Sequence, residues 1–200
     1  MQLFNFDKHQ NLLPCQGTVN YYGKVFSKAE ADQHYNNLLN NILWKNDEAI
    51  IFGKHIITAR KVAWYSEKEI SYTYSKISRK SHLFTPELMA LKQIIENITG
   101  QTYNSCLLNL YHNGNEGMAW HSDDEKELIK NGAIASVTFG TERKFAFKHK
   151  TSKQTVTLNL EHGSILVMKD ETQTHWLHRL PPTTKVSTPR INLTFRTMIF

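Results

Sequence analysis

The stretch RINLTFR, residues 190–196, alternates strictly between apolar and polar side chains. Its apolar side chains all fall on one face, and the other face carries Arg190, Asn192, Thr194 and Arg196. Side chains two residues apart in a strand point the same way, so this pattern predicts a strand with one face against a hydrophobic core. The opposite face would then present two arginines together with two neutral polar groups.

The region before this stretch carries the same kind of signal several times. After Gly100 the sequence changes from helical spacing to short segments rich in Val, Ile, Thr and Phe. These segments lie near residues 105–111, 133–139, 144–149, 154–160, 163–169 and 190–200. Polar turns separate them, and many short strands joined by polar turns favour two packed sheets or a jelly roll.

Two helices are predicted before Gly100. Ser27 and Glu30 form the S-x-x-E pattern of a capping box at the start of the first. Thr85 can cap the second, Pro86 suits its first turn, and Gly100 can end it. One apolar face of the second helix would consist of Leu88, Leu91, Ile94, Ile95 and Ile98. We therefore expect an α+β fold in which helices brace the sheets.

Composition sets limits on the class of protein. The chain has 200 residues, of which 40% are hydrophobic and 21% are charged, which fits one well-buried domain. A formal net charge of +6 favours a polyanionic partner, with nucleic acid as the first candidate, although a mildly basic soluble protein would look the same.

The cysteines and the N-terminus bear on the compartment. Cys15 and Cys106 lie far apart, so we expect neither a disulfide framework nor a thiol metal cluster. The sequence has no secretory signal and no run of the roughly 18 apolar residues that a spanning helix needs. We expect a soluble monomer without membrane contact in the cytoplasm, or in the nucleus if the source is eukaryotic.

A candidate metal site begins with the H-x-D spacing of His121 and Asp123. In an extended chain both side chains project to one face, where they can bind one ion. The third ligand could be His175 or His178, but not both, because residues three apart on a strand face opposite sides. Two imidazoles and one carboxylate with open coordination positions suit non-haem iron(II). Zinc with hydrolytic chemistry is the alternative.

The polar face of residues 190–196 is a candidate acid-binding site. Arg190 and Arg196 stand about 20 Å apart at their backbones in a strand, a span that two guanidinium arms and one short dicarboxylate could roughly bridge. Asn109 and Tyr111 share a face of an earlier strand, where an amide and a phenol could bind the same acid. The alternative is a solvent-exposed edge strand whose charges discourage aggregation.

Taken in order, N-x-Y, H-x-D, H and R-x-N-x-T-x-R resemble the AlkB family of 2-oxoglutarate-dependent nucleic acid demethylases. The resemblance spans most of residues 52–200 and includes FGK at 52–54, NS at 104–105, WHSDDE at 120–125, ASVTFG at 135–140, HGS at 162–164 and PRINLTFR at 189–196. It implies a double-stranded β-helix, or jelly roll, with helical and hairpin additions. The whole chain would be one domain, with residues 1–50 packed on the core as an extension and residues 51–80 forming a nucleotide-recognition lid.

The resemblance also assigns ligands. It implies iron(II) bound by His121, Asp123 and His178, because the family ligand lies twelve positions before the first arginine of the final strand. It implies 2-oxoglutarate bound by Asn109, Tyr111, Arg190, Asn192 and Arg196, with dioxygen as the second cosubstrate.

The implied reaction is oxidative demethylation of 1-methyladenine and 3-methylcytosine in DNA, with decarboxylation of 2-oxoglutarate and release of formaldehyde. Three alternatives are an RNA demethylase, an oxygenase acting on a protein or small molecule, and a noncatalytic nucleic-acid-binding module. Salt-sensitive binding of nucleic acid would distinguish a nucleic acid demethylase from an oxygenase that acts on a protein or small molecule.

Substrate contacts follow from the need to take a base out of its stack. By resemblance, Tyr72 and Tyr74 lie on the lid over the base, and Phe52 lies at the tip of a wedge hairpin. Asp124 and Glu125 could accept hydrogen bonds from the exocyclic amine of the base. Phosphates could be held by Arg60, Lys61, Arg143, Lys144, Lys148, Lys150 and Lys153. A strand aromatic pair, a solvated acidic turn and scattered surface cations are the alternatives.

Overall fold

The segments predicted as strands after Gly100 form two antiparallel sheets in a computed structural model of the chain. The structure describes residues 9–51, 54–74 and 77–199, without the side chains of residues 49–51, 72–74 and 77–79. Within these ranges the helices are α1 (Lys28–Asn41), α2 (Pro86–Thr99) and α3 (Thr172–His175). The strands are β1 (Thr18–Lys24), β2 (Lys45–Ile51), β3 (Lys54–Ser66), β4 (Ser71–Tyr74), β5 (Ile77–Lys80), β6 (His82–Leu83), β7 (Ser105–Tyr111), β8 (Met118–His121), β9 (Ile134–Gly140), β10 (Arg143–His149), β11 (Thr155–Leu160), β12 (Ser164–Lys169), β13 (Trp176–Leu180) and β14 (Arg190–Arg196).

The order of strands within the sheets is that of a jelly roll. The large sheet has the order β1-β12-β9-β14-β7-β3-β2, with β6 paired to β3, and the small sheet has the order β11-β10-β13-β8. From β7 onward the chain passes back and forth between the two sheets. The predicted jelly-roll core is therefore confirmed, and β14 lies at its centre, paired with β7 on one side and β9 on the other.

Three layers result from this arrangement. One apolar cluster contains side chains of α1, α2 and the outer face of the large sheet, such as Leu38, Leu91 and Phe195. A second cluster contains side chains from both sheets, such as Phe147 on β10 and Leu166 on β12. The helices thus cover one face of the large sheet, and the small sheet covers the other.

Both predicted helix starts are present. The Ser27 side chain accepts from the backbone N–H of Glu30, and the Glu30 carboxylate accepts from that of Ser27, which completes the capping box. Thr85 caps α2, and Gly100 ends it in the left-handed conformation, with φ of 67°. The predicted apolar face of α2 needs one correction, because Ile94 is 37% exposed whereas Leu91 is fully buried.

Two segments before residue 80 are paired with the jelly-roll strands. Thr18–Lys24 pair with β12 as an edge strand of the large sheet. Lys61–Ser66, which belong to the predicted nucleotide-recognition lid, pair with β7. The short hairpin of β4 and β5 forms a sheet of its own. No helix within the described ranges is long and apolar enough to cross a membrane.

Substituting Leu91 and Ile94 separately will test the assignment of the buried face of α2. Leu91→Ala removes a fully buried side chain and is expected to lower the free energy of unfolding by about 2–5 kcal/mol. Ile94→Ala is expected to lower it by about 1 kcal/mol or less, because that side chain is partly in water. Urea unfolding followed by circular dichroism measures both, and equal losses would contradict this packing.

Candidate active site

Three potential metal ligands meet where β8 pairs with β13. His121 is the last residue of β8 and lies opposite His178 on β13, and Asp123 follows two residues later. Ligand atoms of all three lie within 4.8 Å of one another. The two imidazole centroids are 4.2 Å apart, and His121 Nε2 is 3.8 Å from Asp123 Oδ1. These groups surround one point without bonding each other, which suits a shared cation.

Neighbouring groups hold this cluster in place. His121 Nδ1 lies 2.8 Å from the carbonyl oxygen of Ala119, which only accepts, so the proton of the neutral ring is on Nδ1 and Nε2 keeps its lone pair. The backbone N–H of Asp123 donates to Gln173 Oε1 at 3.0 Å. The Ser122 hydroxyl donates to the carbonyl oxygen of Trp176. The loop that carries Asp123 is thus bound to α3 and to the start of β13.

Electrostatics favour the metal-binding forms of His178 and Asp123. Burial lowers the pKa of His178 to about 4, against a partial opposing attraction by Asp123, so the imidazole is neutral at pH 7. Burial alone would raise the pKa of Asp123, but attraction by His178, Arg196 and His121 outweighs it and holds the pKa below its usual range. A neutral imidazole and an ionised carboxylate are the forms that bind metal. His178 Nδ1 also has no hydrogen-bond partner among the described residues.

His175 lies apart from this cluster. It ends α3, where its Nε2 is 3.7 Å from a Glu171 carboxylate oxygen and its ring stacks on His149 at 6.3 Å between centroids. The structure therefore brings His178, and not His175, to His121 and Asp123.

The polar face of β14 lies inside the jelly roll. All seven residues of this strand are buried, so the alternative of an exposed edge strand is excluded. Arg190 lies opposite Tyr111 and Asn192 lies opposite Asn109 across the pairing with β7. Arg190 Cζ is 5.6 Å from the centroid of the Tyr111 ring. Four of the five side chains predicted to bind the acid therefore lie opposite one another on adjacent strands.

Arg190 is a buried cation whose hydrogen-bond partners among the described residues are all neutral. Its Nη2 donates to Thr138 Oγ1 at 2.8 Å and to Asn192 Oδ1 at 2.6 Å, and both of these partners are neutral. No carboxylate of a described residue lies within ion-pair distance, and Arg190 Nε and Asn109 Oδ1 lack hydrogen-bond partners in the described part of the chain. Burial lowers the Arg190 pKa to about 10. A buried charge is costly without a counter-ion, so this position fits the carboxylate of an acid such as 2-oxoglutarate.

Arg196, at the other end of β14, differs from Arg190. Its Nη1 donates to Glu125 Oε1 at 3.1 Å, and its charge contributes to the low pKa of Asp123. A protein carboxylate thus already engages the arginine that was expected to bind the second end of the acid. Glu125 Oε1 therefore points to Arg196, whereas Glu125 Oε2 is buried and has no hydrogen-bond partner among the described residues. The predicted contact of Glu125 with a base stays a prediction.

Of the other residues predicted to contact the substrate, the structure describes the side chain of Asp124 but not those of Phe52, Tyr72 and Tyr74. Asp124 is exposed and lines a cavity of about 450 Å³ together with Asp123, Glu125, Lys150, Gln173 and Arg196. Phe52 lies outside the described residues. Tyr72 and Tyr74 belong to β4, but their side chains also lie outside the described part.

Two cations predicted to grip phosphates are buried instead. Arg60 forms an ion pair with Asp47, and its Cζ lies 5.9 Å from the centroid of the Tyr111 ring. Arg143 donates to four backbone carbonyl oxygens, those of Asn113, Gly114, Glu116 and Pro181. Both guanidinium groups therefore make their polar contacts inside the protein rather than at its surface.

Sequence reasoning missed Gln173, which fixes the backbone of Asp123, and Asp47, which pairs with Arg60. Gln173 lies fifty residues from Asp123, and no motif connects them. Asp47 lies thirteen residues before Arg60 on a paired strand, and this partnership depends on the register of β2 against β3.

Comparison with known proteins identifies relatives. The model of the 2OG-Fe(II) oxygenase superfamily matches residues 18–196. The human DNA oxidative demethylase ALKBH2 is 38% identical over 198 residues, covering 94% of this chain and 74% of that protein. The bovine alpha-ketoglutarate-dependent dioxygenase alkB homolog 3 is 38% identical over 179 residues, covering 84% of this chain and 62% of that protein. The solved structure of OsALKBH1 shares the fold, with a TM-score of 0.59 and 13% identity over 92% of this chain and 98% of that one.

Substituting the two histidines separately will test the metal cluster. His178→Ala is expected to weaken iron(II) binding by more than about 100-fold, because residues that merely orient ligands are already worth about 10–100-fold. His175→Ala should leave the affinity unchanged, since that ring lies apart from the cluster. Anaerobic isothermal titration calorimetry measures both, and a loss with His175→Ala alone would reverse the assignment.

Replacing Arg190 will test the acid site. Arg190→Lys keeps a positive charge but loses the forked donor, so we expect the dissociation constant of 2-oxoglutarate to rise about 10–100-fold, as for one charge-assisted hydrogen bond. Arg179→Lys, a change on the small sheet, serves as the matched control and should not alter it. Calorimetric titration of the iron-loaded protein without dioxygen gives both constants, and unchanged binding in Arg190→Lys would place the acid elsewhere.

Proposed function

The chain belongs to the 2OG-Fe(II) oxygenase superfamily and to its AlkB family, as an iron(II)- and 2-oxoglutarate-dependent dioxygenase, and we propose that it demethylates bases in DNA. The observation that carries this proposal is the meeting of the His121, Asp123 and His178 cluster with the buried polar face of β14 inside one jelly roll. The human and Arabidopsis thaliana relatives named DNA oxidative demethylase ALKBH2 support DNA as the polymer.

The proposed roles of the residues follow from their positions. His121, Asp123 and His178 would hold iron(II), and Arg190 with Asn192, Tyr111 and Asn109 would bind a carboxylate of 2-oxoglutarate. When bound, iron(II), 2-oxoglutarate and dioxygen would supply the chemistry: dioxygen is the oxidant, 2-oxoglutarate becomes succinate and carbon dioxide, and an N-methyl carbon is hydroxylated and leaves as formaldehyde. Arg190 selects an anion at its end of the site, because a neutral ligand would leave its buried charge uncompensated.

Arg196, our candidate for the second carboxylate of 2-oxoglutarate, would also act on Asp123. Its ion pair with Glu125 fixes a positive charge near the Asp123 carboxylate, and that charge favours the ionised form. The burial of His178 keeps its imidazole neutral, so neither ligand must lose a proton at neutral pH when a metal binds. The protein therefore presents a cluster that is ready to bind the metal.

The lesions that we propose are 1-methyladenine and 3-methylcytosine. Methylation at these ring nitrogens gives each base a positive charge beside an exocyclic amine. Asp124 is exposed beside Asp123 at the edge of the cavity, and its carboxylate would attract the charge and accept from the amine. A base reaches such a recessed site only after it leaves its stack, and Tyr72, Tyr74 and Phe52 remain our candidates for holding it there.

Mass spectrometry of 3-methylcytosine oligonucleotides will test this function. We expect the DNA strand to lose one methyl group during aerobic incubation with the protein, iron(II) and 2-oxoglutarate, and to remain methylated with His178→Ala. Single-stranded DNA, duplex DNA and RNA of the same sequence are run in parallel, so that the rates rank the polymers. Formation of succinate with every oligonucleotide unchanged would refute the nucleic acid substrate and direct the search to proteins or small molecules.

A further inference from the structure

We propose that Trp120, Lys148 and Arg179 form a binding site for the phosphodiester backbone of a nucleic acid strand, and this rests on the proposed function. The three side chains, called the outer basic patch here, come from β8, β10 and β13 of the small sheet. The site would guide the strand that carries the methylated base.

The patch lies on the face of the small sheet that points away from the jelly-roll interior. Phe147 and His178 are opposite each other and buried on the inner face. Successive side chains of a strand alternate between faces, so Lys148 and Arg179 project outward. Trp120 precedes His121 on β8 and projects to the same outer side.

Two cations in this patch make cation–π contacts with the same aromatic ring. Lys148 Nζ and Arg179 Cζ each lie 4.5 Å from the centroid of the Trp120 ring, so the two charges are no more than 9 Å apart. The negative face of an aromatic ring attracts cations, but it has no net charge with which to neutralise them. The mutual repulsion of the two charges therefore stays uncompensated unless an anion lies close by.

The protein supplies no such anion in the described part of the chain. Neither Lys148 nor Arg179 forms an ion pair with a described residue, and the buried Nε of Arg179 lacks a hydrogen-bond partner there. The four strands of the small sheet contain no Asp or Glu. Lys144 is exposed on the same face of β10, about 13 Å along the strand from Lys148. A line of unpaired cations on a surface without carboxylates matches a polyanion.

The position of the patch connects it with the active site. Trp120 is the sequence neighbour of His121, and Arg179 is the sequence neighbour of His178, so the same two strands carry the metal cluster on their inner face. β8 is the last strand of the small sheet, and a polymer that rounds this edge passes from the patch to the cluster. The patch is therefore suited to phosphates next to the base that enters the site.

Salt dependence of binding will test the patch. Lys148→Gln with Arg179→Gln removes both charges and keeps long side chains against Trp120. For a fluorescein-labelled, unmethylated single-stranded oligonucleotide, each lost phosphate contact should reduce the slope of log K against log salt by about 0.7. We expect fluorescence anisotropy to show a slope lower by about 1.4 for the double variant and about 0.7 for each single variant.

Lys24→Gln with Lys28→Gln is the matched control. It removes the same charge from β1 and α1, where both lysines already pair with carboxylates. Circular dichroism should show native folding for both double variants. Equal slopes for wild type and the patch variant, or equal decreases in the patch and control variants, would overturn the proposal.

Turnover measurements separate this inference from the proposed function. On a methylated oligonucleotide, the patch variant should show a raised KM with little change in kcat, whereas a methylated trinucleotide should be processed at the wild-type rate. If wild type demethylates nothing, the proposed function fails whatever the slopes are. If it is active and the patch variant matches it in both slope and KM, the patch alone is refuted.

Discussion

Every residue of β14 is buried, so the polar face of this central strand has to find all its partners inside the protein. Asn192 and Thr194 meet this requirement with neutral groups on the same and the neighbouring strand. Arg196 forms an ion pair with Glu125 from the loop that follows Asp123. Only neutral partners reach Arg190 among the described residues, and the site for an acid is the consequence of that one unmatched charge.

The charge of Arg190 and the charge of Asp123 among the metal ligands affect the stability of the fold in the same way. The buried guanidinium of Arg190 and the partly buried, ionised carboxylate of Asp123 both destabilise the fold without a ligand, and ligands that bind only the folded state stabilise it. The fold is stable in spite of these charges because the large sheet packs against apolar side chains on both faces. One apolar cluster lies between this sheet and the helices, and the other lies between the two sheets. The scaffold therefore stabilises a site that is poorly stable by itself.

Local patterns predicted six of the fourteen strands that the structure describes, the capping of both helices and the H-x-D pair, because these depend on neighbours in sequence. The alternation in residues 190–196 identified the strand and its polar face, but it did not distinguish an exposed edge from a buried centre. Only the pairing of β14 with β7 and β9 decides that. The charges of Arg60 and Arg143 suggested phosphate contacts, whereas the burial that makes them structural depends on distant strands. The choice of His178 over His175 likewise depended on a resemblance until the register of β13 against β8 was known.

The register of β13 against β8 also explains how the metal ligands and the outer basic patch can lie on the same strands. Inner and outer side chains alternate along β8 and β13. His121 and His178 therefore face the interior of the jelly roll, while Trp120 and Arg179 face outward. A slip of one residue in either strand would exchange the two faces and place Trp120 or Arg179 in the cluster. The buried side chains of Trp176 and Leu180 oppose such a slip of β13, because it would move them into water. Hydrophobic packing thus fixes the geometry of the metal site and the spacing between that site and the outer basic patch.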